Sequence, residues 1–157
     1  MREPKRVSDS QTEQIQILMH NHINGVGRLF GGQLVEWIDV VAAVVARRHS
    51  GCNITTAAID NLQFKAGAYL NDTLVLIGRI TWVGRTSMEV RVDTYVEDLG
   101  GFRRPVNRAY LVMVALDENE RATQVPGLIL ETEMERAEWE AGARRAELRR
   151  ARRKEGY

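Results

Sequence analysis

A single cysteine, Cys52, among 157 residues excludes an intrachain disulfide and makes a reducing compartment the simpler setting. Charge of one sign is missing too: 22 basic against 21 acidic residues leave a net charge of +1, so no global field recruits nucleic acid or an anionic membrane. Long hydrophobic runs are absent. The run from Val40 to Ala46, like every other in the chain, falls far short of the roughly 20 apolar residues that span a bilayer. The N-terminus MREPKRVSDSQTEQ has no apolar stretch of the kind that marks a secretory signal. What is present, 44% apolar and 27% charged residues, is ordinary for one soluble domain with a real core. The expectation is a single-domain cytoplasmic protein.

The stretch from Gly31 to His49, GGQLVEWIDVVAAVVARRH, organises the rest. Between Leu34 and Ala46 only Glu36 and Asp39 are not apolar, so a helix here is hydrophobic almost all round and has to be wrapped. At 1.5 Å per residue it is roughly 28 Å long, enough to run the length of a small curved sheet. Asp39 lies near its middle. A carboxylate in an apolar helix is costly unless it is paired, hydrated or used, which makes Asp39 the first candidate for chemistry. The structural alternative is a narrow strip of Glu36, Asp39, Ala43 and Ala46 facing solvent or a partner subunit.

Residues 1–11 are polar and expected to be loose. TEQIQIL, from Thr12 to Leu18, alternates as a short strand does, with Ile15 and Ile17 on one face and Gln14 and Gln16 on the other. A glycine-punctuated loop leads to the central helix, which Gly51 is suited to end in the left-handed conformation. Four strand-like segments follow, over 54–64, 73–83, 87–97 and 107–116, and the short turn-rich links between them favour an antiparallel meander. A sheet curled around one helix covers that helix on every side that needs it. Residues 131–157 read as a charged helix: Thr132 and Glu135 make a capping-box pattern, acids crowd its start and arginines its end. Its thin apolar stripe predicts light docking, with the basic run from Arg144 to Lys154 solvated.

Asn24, Gly27, Gly31 and Gly32, followed by Asp39, carry the chemistry. Two glycines at a helix start let a ligand approach free N–H groups at the positive end of the helix dipole, a place suited to a carbonyl gaining negative charge. Asn24 adds a donor or orients a water, and Asp39 is placed to act as general base. The bland alternatives are a tight helix start and a loop cap. His20 and His22 lack further metal ligands nearby in sequence, and no motif supports Cys52 with His49 as a nucleophilic pair.

These spaced residues, together with ITTAAIDNLQF, GRTSMEV over 84–90 and VPGL over 125–128, closely resemble the hotdog-fold acyl-CoA thioesterases. The resemblance runs from about Gln14 to Arg145. It implies an α+β hotdog fold over 12–130, a curved antiparallel sheet wrapped around one long central helix, plus the charged C-terminal helix. It also implies a homodimer with active sites at the interface, and allows a trimer of dimers. The implied reaction is hydrolysis of acyl-CoA to coenzyme A and a carboxylic acid, with no cofactor and no metal. In it Asp39 activates water, Asn24 positions water or substrate, and the Gly32 region polarises the carbonyl; base and nucleophile roles for Asp39 both stay open. Gly31, Gly84, Arg85, Thr86 and Ser87 are the implied coenzyme A contacts. Where relatives often place Gly before Asp, this chain has Asn71-Asp72, which is expected to keep a hairpin. The rival readings are another hotdog enzyme such as a hydroxyacyl dehydratase, which generally uses a histidine, and a non-catalytic module binding acyl-CoA or, through its basic tail, nucleic acid.

Overall fold

The computed structural model describes residues 2–60 and 62–157. Helix α1 spans Gly31–Ser50, and Gly51 caps it at φ 68°, donating its N–H to Arg47 O. Strands β2 (Thr12–Ile17), β3 (Asn53–Asp60), β4 (Thr73–Val83), β5 (Ser87–Glu97) and β6 (Arg103–Leu116) form one antiparallel sheet in the order β2-β4-β5-β6-β3, and all five touch α1. Strand β1 (Lys5–Arg6) pairs in parallel with β7 (Leu128–Ile129). Leu34, Ile38, Val41, Ala42 and Val45 of α1 fill the concave side against Leu74, Leu76 and Ile80 of β4, Met88 and Val90 of β5, and Leu111 and Met113 of β6. The helix that the sequence requires to be wrapped is wrapped.

Helix α2 (Glu133–Glu155) crosses the opposite, convex face of the sheet. Thr132 accepts from Glu135 N at 3.1 Å as the capping pattern predicts, and Glu135 in turn accepts from Glu131 N. Gly142 brings the helix close. A Cβ there would stand 2.7 Å from Trp82 Cβ and 3.0 Å from Glu89 Oε1.

Several expectations need correcting. The meander holds only for β4-β5-β6; β3 pairs with β6 at the far edge, because the 61–72 connection is long enough to carry the chain across. Asn71 does adopt φ 70°, but the Tyr69–Asp72 turn docks on Leu18 beside β2 and does not join two neighbouring strands as a hairpin. The strand expected over 54–64 ends at Asp60, and Asn61 lies outside the described residues. The segment read as loose is tied down, with Lys5 and Arg6 paired to β7 and Val7 buried. The basic helix end is not simply solvated either: Arg145 and Arg149 turn inward to Glu89 on β5.

Candidate active site

Asp39 is half-buried on the side of α1 that meets β3, where it accepts a 2.7 Å hydrogen bond from Thr56 Oγ1. Thr56 reaches it because it lies opposite core-facing Met113, just before a bulge in β3. Thr56 pairs with Met113 and Ala58 with Val112, so Ala57 is the extra residue and the strand changes face across it. Met113 Sδ lies 3.4 Å from the same hydroxyl, leaving Thr56 few other places to point. Sequence reasoning missed Thr56. It stands in the segment ITTAAIDNLQF, yet only its pairing with Met113 places it on the helix side of the sheet.

The start of α1 is chemically open. Its N-cap position is Phe30, which has no side-chain acceptor, so no side chain of the N-cap takes the N–H groups of Gly31 and Gly32, while Gln33 N–H bonds Phe30 O. The space a Gly32 side chain would fill is occupied by the Phe30 ring, 2.7 Å from an ideal Cβ, and that at Gly31 borders Phe64. The bareness of Gly32 therefore accommodates Phe30 first, and the service of this turn to a carbonyl rests on its backbone. Gly31, Asn24, Leu34, Phe64 and Val106 line a cavity of about 250 Å³. Asn24 uses its Oδ1 to accept from Val26 and Arg28 N–H, so the loop-cap reading is correct for its oxygen, and the amide nitrogen remains as the donor. The loop itself is pinned by Leu29 N–H to Ala68 O and Phe30 N–H to His22 O.

The turn Gly84–Ser87 lies elsewhere. Ser87 pairs with Val114, which pairs with Thr55, so the turn sits two strands, roughly 10 Å, from the Thr56 end of β3. Arg85 O accepts from Val125 N–H, and neighbouring Pro126 O bonds His49 near the C-terminus of α1. The residues singled out in the sequence thus form two groups in one chain. Asn24, Gly31 and Gly32 lie at the first end of α1, while Asp39, with Thr56, is directed to the edge strand whose near rows lead to 84–87.

The other candidates have structural roles. His22 Nδ1 accepts from Met19 N–H and its ring meets Trp37 edge-on at 4.8 Å. No group of metal-binding side chains occurs among the described residues. His49 is fully buried, with Nε2 2.9 Å from Pro126 O, while Cys52 Sγ takes a hydrogen bond from Arg2, so the two form no dyad. Burial pushes the His49 pKa down, partly offset by Pro126 O. Arg103 is occupied by Glu97 and Glu13, and Arg104 by Gly67 O. No helix of the described residues is long and apolar enough to cross a membrane.

Comparison with known proteins adds a family. The model of the thioesterase superfamily matches residues 26–106. An uncharacterized acyl-CoA thioester hydrolase of Bacillus subtilis is 36% identical over 85% of this chain and 75% of its own. A hexameric acyl-CoA thioesterase, solved in its apo form, is 36% identical with a TM-score of 0.92, covering 96% of this chain and 97% of that one. The acyl-CoA hydrolase of Staphylococcus aureus, solved with butyryl coenzyme A and coenzyme A, is 30% identical with a TM-score of 0.91, over 96% of this chain and 93% of that one. Solved variants of the Staphylococcus enzyme replace an asparagine, an aspartate and a threonine with alanine, at intervals of 15 and 17 positions. Asn24, Asp39 and Thr56 stand at the same intervals.

Proposed function

This chain belongs to the thioesterase superfamily, and we propose that, as an acyl-CoA thioester hydrolase, it uses Asp39 to activate water at a site completed by a second subunit. The observation that carries the reading is the Asp39–Thr56 hydrogen bond on an edge strand. Asp39 takes a proton from water, the hydroxide oxygen attacks the thioester carbonyl carbon, and the first-turn N–H groups at Gly31 and Gly32 receive the developing oxyanion. The C–S bond then breaks and the sulfur leaves with a proton as coenzyme A. Thr56 keeps the carboxylate turned toward its water, and the amide nitrogen of Asn24 orients water or substrate. The 84–87 turn is assigned to the coenzyme A arm.

Two features support a composite site. Strand β3, eight residues long, is the outer edge of the sheet among the described residues, and the N–H and C=O groups of its alternate residues face outward, a surface that another chain readily extends. A two-fold axis at that edge sets the two α1 helices antiparallel, so that the Asn24 and Gly31 end of one subunit approaches the Asp39 and 84–87 region of the other. The hexamer formed by the similar thioesterase fits three such pairs. The single free thiol supports a cytoplasmic setting.

The test is complementation between subunits. Asp39→Ala and Asn24→Ala homodimers should each lose turnover in a thiol-release assay. Co-expression with two tags and tandem purification should yield a heterodimer with up to about half of wild-type turnover, since both lesions then fall in one of two sites. Activity held at the mutant level would show that each site is built within one subunit.

A further inference from the structure

Strand β3 is gripped from both faces. On the concave side Thr56 bonds Asp39 of α1 at 2.7 Å. Past the bulge the strand presents its next inward-turned positions to the other side, and Asp60, in the row Arg91–Tyr110–Asp60, meets α2. Arg149 Nη1 stands 3.2 Å from Asp60 Oδ2, and Arg152 Nη2 3.6 Å from Oδ1. Helix α2 is a fixed platform for this contact. Arg145 donates two hydrogen bonds to the buried Glu89 carboxylate, at 2.9 and 2.8 Å, and stacks on the Tyr110 ring at 3.8 Å. Arg149 touches Glu89 as well, at 3.3 Å, and so spans the central strand and the edge strand.

We propose that Asp60 is a positioning residue, whose ion pairs to Arg149 and Arg152 hold β3 so that Thr56 keeps Asp39 in its reactive orientation. The inference rests on the reading of Asp39 as the group that activates water. An edge strand is hydrogen-bonded on one side only, and a bulge loosens its ladder further, so β3 has little of its own to fix its twist. The Thr56 hydroxyl has a narrow tolerance. A displacement of about 1 Å takes a 2.7 Å hydrogen bond past its useful range, and misplacement of that size lowers turnover more than binding. Only three residues separate Thr56 from Asp60, so an anchor there limits how far the bulged stretch, and Thr56 with it, can shift. An ion pair that merely stabilised the fold would have no reason to act through Thr56.

The experiment is a double-mutant cycle on kcat in the full-length protein, with melting temperature and oligomeric size recorded for every variant. Asp60→Asn and Arg149→Met should each lower kcat about tenfold at unchanged KM, and Arg149→Lys should restore most of it. In a Thr56→Val background Asp60→Asn should change kcat by less than about twofold, since the group it acts through is gone. Equal losses in both backgrounds, or no loss in the first, overturn the positioning role. If Asp60→Asn does not fold, the Arg149→Met and Arg149→Lys pair carries the same cycle. An inactive Asp39→Asn alongside an additive cycle sinks this proposal alone; a fully active Asp39→Asn sinks the reading of Asp39 and the proposal with it.

Discussion

Replacing Arg145 with methionine should be far more damaging than a change in a charged C-terminal helix suggests. Methionine keeps most of the stem and removes the guanidinium. Glu89, fully buried on β5, then loses two charge-assisted hydrogen bonds and retains Thr81 Oγ1 at 2.6 Å and Arg149 at 3.3 Å. Stranding one member of a buried pair costs about 3–5 kcal/mol, against about 0–1 kcal/mol for an exposed pair. Because Arg149 stays close, the expected loss is about 3 kcal/mol, or a fall in melting temperature of roughly 6–12 °C for a domain of this size. The loss should also depend on pH. Burial opposes the charged form of Glu89, but hydrogen bonds from Arg145 and Thr81, with the charges of Arg145 and Arg149, outweigh it and hold the carboxyl below its ordinary 4.5. A depressed folded value means that this stabilisation is present above pH 4.5 and disappears as pH falls through the folded value, so wild type and variant should converge in acid. Urea unfolding at fixed protomer concentration measures the difference, since assembly otherwise shifts the midpoint. Adding Glu89→Gln to Arg145→Met should recover much of the loss, the stranded charge being gone. A loss below about 1 kcal/mol at neutral pH would refute the argument and return the tail to the status of a solvated end.

Gly142→Ala offers a test of sign. On a solvated helix the change stabilises by about 1 kcal/mol, whereas here the added Cβ meets Trp82 at 2.7 Å, and overpacking should make it destabilising by about 1–2 kcal/mol; a raised urea midpoint would contradict the close approach of α2. His49 should make stability fall in mild acid. Its folded pKa lies below the ordinary 6.5, so the unfolded chain takes up a proton that the folded chain refuses, and stability is full above pH 6.5 and declines as pH drops through the folded value. His49→Gln should flatten that decline between pH 7.5 and 5.5, and an unchanged slope would show that other groups cause it.

Periodicity made the central helix and most strand positions legible, since a helix apolar on nearly every side has few ways to be buried. Pairing order was not legible. Links of a few residues imply hairpins, and they do join β4, β5 and β6, but nothing local to β3 says that it crosses to pair with β6. Strand β2 shows the limit of alternation as a guide to facing. Ile15 and Ile17 are exposed beside Val75 and Thr73, and Gln14 and Gln16 take the inner rows with Leu76 and Leu74, because register with β4 decides which set turns inward. The C-terminal helix misled for a related reason. Its polar composition describes a solvated surface equally well as one that meets a polar sheet face, and the acids that receive its arginines lie on β5 and β3, 56 and 89 residues away in sequence.

The site divides along the same line. Asp39 and the glycine pair stood out because each is out of keeping with its neighbours, an acid in an apolar helix and a bare turn ahead of a long one. Thr56 is an ordinary strand residue, and its role follows from its place opposite Met113, which turns it toward Asp39, while one inserted position just after it turns Asp60 toward α2. An inserted residue leaves no mark in composition or spacing. It is visible only once the partner strand is known, because a bulge is a property of the pair and not of either strand. Residues that announce chemistry by their own misfit can therefore be read from sequence, and residues that serve it by where the sheet aims them cannot.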